Sequence, residues 1–193
     1  MKYIYKVLLI SLIILSSTIV NAQKYSFTEH SIPLVDDKVV FSVDFEKELS
    51  KAQLSRYVYF YLNHKLQPYR GEFYLVNQDA ISCNIVDYLE ISTSALYSFG
   101  VYIKYDIKFS FEDGVSNMTI DNIIYMAKTS FEEEERLNRD LRITKFTAKD
   151  IMIDKRYRSI FVRKSSDKIT KASIDMINGI IDDLNLLFLE VEK

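Results

Sequence analysis

VYIKYDIKFSFEDGVSNMTIDNIIY, residues 101–125, decides the fold. Val101, Ile103, Tyr105, Ile107, Phe109 and Phe111 fall on one face. Tyr102, Lys104, Asp106, Lys108, Ser110 and Glu112 fall on the other. A period of two sustained over that length is a strand with one buried face. Asp113-Gly114 then supplies the two-residue turn of a type I′ hairpin, whose central residues both need positive φ. Pairing through this turn sets Phe109 opposite Met118, Ile107 opposite Ile120 and Ile103 opposite Ile124. Apolar meets apolar, as a one-sided sheet requires. On the polar face the same register sets Asp106 opposite Asp121.

Working back from the hairpin, Ile81, Cys83, Ile85, Leu89 and Ile91 alternate with Ser82, Asn84, Val86, Tyr88 and Glu90, with Asp87 alone breaking the apolar face. Glu72 to Val76 is a short aromatic and branched run, which suits a strand. Before it, Leu54, Tyr57, Val58, Tyr61 and Leu62 repeat at helical spacing, and Ser50 with Gln53 forms a capping box. Pro68 stops that helix. Lys38 to Glu46 alternates, with Val39, Phe41, Val43 and Phe45 inward. Working forward, Ser130–Arg142 is charged and fits either a short exposed helix, with Glu132–Arg136 and Glu135–Arg139 pairs, or an irregular excursion. Residues 147–164 are ambiguous. Ser165 or Ser166 can cap a final helix whose stripe is Ile169, Ser173, Ile177, Ile180, Leu184, Leu187, Phe188 and Val191.

The order is strand, helix, four strands, helix. That predicts an α+β domain: an antiparallel sheet with both main helices on one face. It occupies residues 38–191, with a charged excursion at 127–145, and follows an extended leader at 23–37. Residues 1–22 have the form of a signal peptide: Lys2 and Lys6, an apolar run from Val7 to Leu15, and Val20-Asn21-Ala22 before a cut between Ala22 and Gln23. The run is short for a membrane span. The expected product is exported, periplasmic or extracellular, and soluble after cleavage.

The chain of 193 residues is 48% hydrophobic with a net charge of −2, too apolar for a disordered chain and not basic enough to suggest a nucleic-acid binder. Its single cysteine excludes a disulfide scaffold and a Cys-based zinc cage. No G-x-S-x-G, P-loop or G-x-G-x-x-G occurs, and His30 and His64 lack any second ligand at metal spacing.

The pieces PLVDDKVVF (Pro33–Phe41), the helix near Leu49–Leu62, the hairpin 101–125 and the ending FTAKDIMIDK…ASIDMINGIIDDLN resemble a family of exported Bacteroidota proteins. That family carries a domain of unknown function with a TBP-like (TATA-binding-protein-like) fold. Segment 127–145 matches least. The resemblance implies the fold and an envelope location, and it implies no activity. A TBP-like fold is no argument for DNA binding, because fold does not fix function.

Asp106 and Asp121 are the one carboxylate pair that could share a proton, hold Ca²⁺ or act as a glycosidase pair. The simpler expectation is a solvated face on which Lys104 and Lys108 neutralise them. Cys83 alternates with apolar neighbours and is expected in the core. Tyr57, Tyr59, Phe60, Tyr61, Tyr69, Phe73 and Tyr74 crowd one region and could stack on sugars or simply pack. Seven basic residues lie within 155–171 against Asp167 alone. Arg156, Arg158, Arg163, Lys164 and Lys168 are therefore the candidate contact residues for an acidic partner. The functional expectation is a non-catalytic binding module without cofactor or metal. An envelope protein is the expected partner; the alternative is a small-ligand or glycan binder using the open sheet face, with anionic lipid as a further candidate and no nucleic acid.

Overall fold

The computed structural model describes residues 26–66, 71–93, 98–137, 144–158 and 164–191. The expected signal peptide with its expected Ala22–Gln23 cut, Pro68, Tyr69, Arg139 and Arg163 lie outside the described residues.

The hairpin forms at the expected place, but its turn is not type I′, because Gly114 sits at φ 81 while Asp113 does not adopt positive φ. Strands β6 (Ser98–Glu112) and β7 (Val115–Ala127) pair antiparallel through Asp113-Gly114, with Phe109 opposite Met118, Ile107 opposite Ile120 and Asp106 opposite Asp121. Beyond Asp121 the register slips by one. Asn122 adopts φ 50 and, with Ile123, faces Tyr105 alone, which is a β-bulge. Asparagine tolerates the left-handed conformation because its short side chain bonds locally, here donating to Asp106 Oδ2 at 2.8 Å. Ile103 consequently faces Tyr125, not Ile124, and Ile123 and Tyr125 turn into the core.

Around this hairpin the sheet runs β3-β7-β6-β5-β4, where β3 is Phe41–Glu46, β4 Gly71–Val76 and β5 Ala80–Thr93. Strand β8 (Lys145–Thr147) pairs β7 beyond the bulge. The expected single strand Lys38–Glu46 is divided. Lys38–Val39 (β2) folds back on Leu34–Val35 (β1) around Asp36 and Asp37, both at positive φ, and only β3 joins the main sheet. Its inward face survives the break, since Val39, Phe41, Val43 and Phe45 are all buried. The expected extended leader ends in this small hairpin and is tied down from Phe27. The Phe27 ring meets Phe41 edge-on at 4.9 Å, and its backbone exchanges hydrogen bonds of 2.9 and 3.0 Å with the Asn178 amide.

Helix α1 (Lys51–Leu66) begins as its capping box requires: Ser50 N–H donates to Gln53 Oε1 at 3.0 Å, and Gln53 N–H to Ser50 Oγ at 3.4 Å. A second cap comes from the hairpin turn, where Asp113 Oδ1 accepts from Lys51 N–H at 2.8 Å. Leu54, Val58 and Leu62 are fully buried, each contributing about 2 kcal/mol of burial. The final helix, α3 (Ser165–Val191), buries Ile169, Ser173, Ile177, Ile180, Leu184 and Phe188 as its stripe predicts, and Ile174 and Ile181 besides. Ser165 and Ser166 form its first turn. Their hydroxyls donate to the Tyr157 carbonyl at 3.1 and 2.8 Å and so tether the incoming segment.

Helices α1 and α3 share one face of the sheet, as expected, but the other face is not wholly open. The charged excursion contains α2 (Lys128–Leu137), which lies over one end of that face. Phe131 packs on Tyr102 at 4.2 Å, Tyr102 donates to Glu132 Oε1 at 3.2 Å, and Lys128 Nζ sits 5.2 Å from the Tyr88 ring centre. Tyr88, Tyr102 and Met126 are apolar groups at outward positions, and they need this cover. Glu132 is thus engaged by tyrosine, and Arg136 pairs with Glu133 at 3.9 Å. After β8, the π-helical turn Lys149–Ile153 plugs the core with Ile151 and Met152.

Gly100 makes room for this arrangement. A Cβ there would meet the Tyr88 hydroxyl and come within 2.5 Å of the Leu89 carbonyl oxygen. Gly100→Ala is expected to lose about 2 kcal/mol by urea denaturation, because the β5 backbone itself must shift. Asp113→Ala, which removes the cross-element cap on Lys51, is expected to lose about 1 kcal/mol in the same measurement.

Candidate functional site

The basic stretch is built by three local devices. Thr147 and Asp150 bracket the π-helical turn reciprocally: Asp150 Oδ2 accepts from the Thr147 hydroxyl at 2.7 Å and from its N–H at 2.9 Å. The chain then leaves the turn through Lys155, at φ 53, and Tyr157 anchors it by packing edge-on against Phe146 at 5.1 Å. Lys164, also at φ 53, stands just before α3.

This geometry divides the basic residues into two groups. Arg156 Nη1 pairs with Asp150 at 2.7 Å and Arg156 Nη2 with Asp154 at 2.9 Å, so this residue serves its own turn. Lys155 pairs with Asp167 at 3.1 Å and donates to Thr170 Oγ1 at 3.2 Å. Arg158, Lys164 and Lys168 are exposed and have no ion-pair partner among the described residues. Lys164, Lys168 and Lys171 converge with Glu29 and Asp167 on a shallow groove of about 540 Å³. Lys171 is held above the usual lysine range, first by its bond to Asp175 at 3.0 Å, with Glu29 acting in the same direction. Glu29 was not legible as a site residue in the sequence. It reaches the groove because Phe27 is clamped to Asn178.

The carboxylate pair is opposed as the register predicts, but each member has its own donors. Lys108 Nζ bonds both oxygens of Asp121 at 2.9 and 2.7 Å, while Asp106 takes amide hydrogens from Asn84 and Asn122, each at 2.8 Å. Lys108 alone does the neutralising; Lys104 has no ion-pair partner among the described residues. Burial draws Lys108 down, but the Asp121 carboxylate outweighs it and the net shift is upward. Asn117 extends the network, donating to Asp44 at 2.7 Å and to Ser42 at 3.2 Å.

Asp87, the one break in the apolar face of β5, is answered by a tyrosine. The buried Tyr105 hydroxyl donates to it at 2.8 Å, and burial first, then Asp87, holds that hydroxyl well above the ordinary tyrosine range. Tyr125 likewise buries its ring and shares a hydrogen bond with Ser173 at 2.8 Å. Cys83 lies in the core, and burial pushes its thiol up to about 12. His30 and His64 are exposed. No group of three His, Cys, Asp or Glu side chains among the described residues could hold a metal ion. No helix among them is long and apolar enough to cross a membrane. The tyrosine crowd splits. Tyr57 and Tyr61 pack partly against the core, while Tyr59, Phe60 and Tyr74 stay exposed.

The fold has solved counterparts. The chain superposes on a DUF4468 family protein from Bacteroides ovatus with a TM-score of 0.67 and 18% identity, covering 87% of this chain and 95% of that one. It superposes on a TBP-like protein from Parabacteroides distasonis with a TM-score of 0.63 and 16% identity, covering 82% and 97%. No family model and no curated protein matches the sequence. The architecture is the TBP-like α+β fold of these Bacteroidota proteins, one of them from a family of unknown function, as the sequence resemblance implied.

The Asp150 bracket carries a pH dependence. The Thr147 hydroxyl and N–H, followed by Arg156, hold the Asp150 carboxyl below its ordinary 3.8. A depressed carboxyl stabilises the fold fully above that ordinary value and loses the contribution as pH falls through the lower folded value. The difference in thermal stability between the wild type and Asp150→Asn is therefore expected to narrow as pH falls from about 5 to about 3.

Proposed function

We propose that the protein is an exported, non-catalytic binding module whose protein partner docks an acidic segment at the start of α3. The observation that supports this reading is the convergence of Lys164, Lys168 and Lys171 on one groove, with Arg158 exposed nearby in sequence. Arg156, although in the same basic run, is engaged by Asp150 and Asp154 and belongs to the scaffold. Exposed cations of this kind steer an acidic partner and set its orientation, and the resulting complex weakens with salt.

A second reading is favoured by Tyr74. Its ring is exposed on the open face, and partial burial first, then the Asp106 carboxylate, raise its hydroxyl above the ordinary tyrosine range against the opposing charge of Lys108. A glycan could stack there and hydrogen-bond to the neighbouring amides.

One experiment separates the two. Tagged mature protein is used for capture from its own envelope extract, at low and moderate salt, beside Lys164→Glu/Lys168→Glu and beside Tyr74→Ala. The protein reading expects one stoichiometric partner that is released by salt and lost with the double reversal. Retention of that partner by the reversed variant would sink the groove. Glycan binding that is lost only with Tyr74→Ala would transfer the function to the open face.

A further inference from the structure

Strand β4 ends the sheet, and its outer edge is unpaired among the described residues. Phe73, Tyr74, Leu75 and Val76 are four consecutive apolar residues, so the strand is apolar on both faces. A bulge between Phe73 and Leu75 sets the faces: Phe73 pairs Cys83 and Val76 pairs Ile81 on the helix side, while Leu75 pairs Ser82 on the open side. Exposure is high, at 53% for Tyr74, 41% for Leu75 and 50% for Val76. Helix α1 continues the surface around the edge. Tyr59 stacks on Phe73 at 5.3 Å, Phe60 is 54% exposed, and Arg56 lies 5.6 Å from the Phe60 ring centre.

We propose that this surface is the interface with a second copy of the same chain, joined β4 to β4 about a two-fold axis. Area is the first argument. The exposed parts of Tyr59, Phe60, Tyr74, Leu75 and Val76 amount to roughly 500 Å², the size of the largest apolar patch on a typical monomer, which is commonly a functional surface. Two such patches buried against each other approach the roughly 1,000 Å² that a stable interface needs. Chemistry is the second. The occupant must be an extended strand with apolar side chains on both faces, and β4 itself is that strand. The opposite edge of the sheet is not a substitute, because β3 presents Ser42, Asp44 and Glu46 outward. A β4–β3 joint would set these against Tyr74 and Leu75, which disfavours an open filament and leaves the closed two-fold pair. Charge is the third. Glu72 is the one ionised residue of β4 and lies near its start, so an antiparallel pair centred on Tyr74 keeps the two Glu72 carboxylates at opposite ends of the joint. The proposal does not rest on the groove at α3, and a failure of either leaves the other standing.

The test uses the full mature chain. Sedimentation velocity from micromolar to near-millimolar concentration is expected to show a monomer–dimer equilibrium. Phe60→Glu/Leu75→Lys is expected to weaken it by at least about 30-fold with an unchanged far-UV spectrum and melting point. Site-specific oxidation guards against a variant that misfolds. Tyr74→Cys is expected to give a disulfide-linked dimer on a non-reducing gel, since the two copies meet there. Ser42→Cys on the opposite edge is expected to give none, and the buried Cys83 keeps the background low. A monomer at every concentration overturns the proposal, including the case where a different protein or a glycan occupies the patch. So does a dimer that survives Phe60→Glu/Leu75→Lys, or cross-linking through Ser42→Cys in place of Tyr74→Cys.

Discussion

The tip of the central hairpin is bolted to the corner where β3 becomes α1. Lys47 N–H donates to the Gly114 carbonyl at 2.9 Å, Gly114 N–H donates to the Leu49 carbonyl at 3.0 Å, and Asp113 accepts from Lys51 N–H. The turn sits at φ 81 for Gly114, a conformation that side chains rarely tolerate. Three consequences follow from this single junction. It fixes the start of α1, and with it which face of the helix meets the sheet. It sets the register of β3 on β7, since Glu46 faces Val115 directly beside the turn. It also brings the β4–β5 turn into place, because Asp79 is ion-paired to Lys51 and its carbonyl accepts from Phe111 N–H at 2.9 Å. Residues far apart in the chain thus meet at one end of the sheet through short, directional bonds.

Local physics made much of this legible. The alternation of β6, the Asp113-Gly114 turn, the Ser50–Gln53 box and the stripe of α3 are each decided within a few residues, and each stands where its pattern puts it. What stayed illegible depends on partners distant in sequence. The bulge at Asn122 is stabilised by Asp106 across the hairpin, and nothing within 115–127 announces it. Helix α2 covers Tyr88 and Tyr102 on the face that looked open; the warning was there in apolar residues at outward positions, but which segment covers them is a tertiary matter. Ser165 and Ser166 also tether the Tyr157 carbonyl, a partner that their cap chemistry does not name. Within the basic stretch, counting charges could not tell Arg156, held by Asp150 and Asp154, from Lys168, which faces the groove. Glu29 enters that groove only because the N-terminal segment docks on α3.

The surfaces of the domain consequently have distinct characters. The helix face is sealed by apolar packing, with its tyrosine hydroxyls answered internally by Asp87 and Ser173. The open face is a cross-linked layer of Asp, Asn and Lys at its centre and an aromatic layer under α2 at its end. Such self-satisfied polar layers are rigid, because each group's preferred partner is already in place. The exposed features, the lysines around Glu29 and the aromatic rim of β4, involve different elements: the groove draws on α3 and the N-terminal segment, the rim on β4 and α1. Occupation of one therefore leaves the other available.

The clamp between Phe27 and Asn178 joins residues separated by 151 positions. During synthesis the first of these emerges long before the second, and β3, just after it, has no neighbour until β7 is made. Contacts of such range cost loop-closure entropy before they return any energy. The meander β4-β5-β6-β7 can accrete strand by strand, because each strand pairs with its neighbour in the chain, but β3 cannot join it from the ribosome in the same way. The first strand waits for the fifth and the leading segment for the last helix, so the two ends of the chain are the last parts to be tied down.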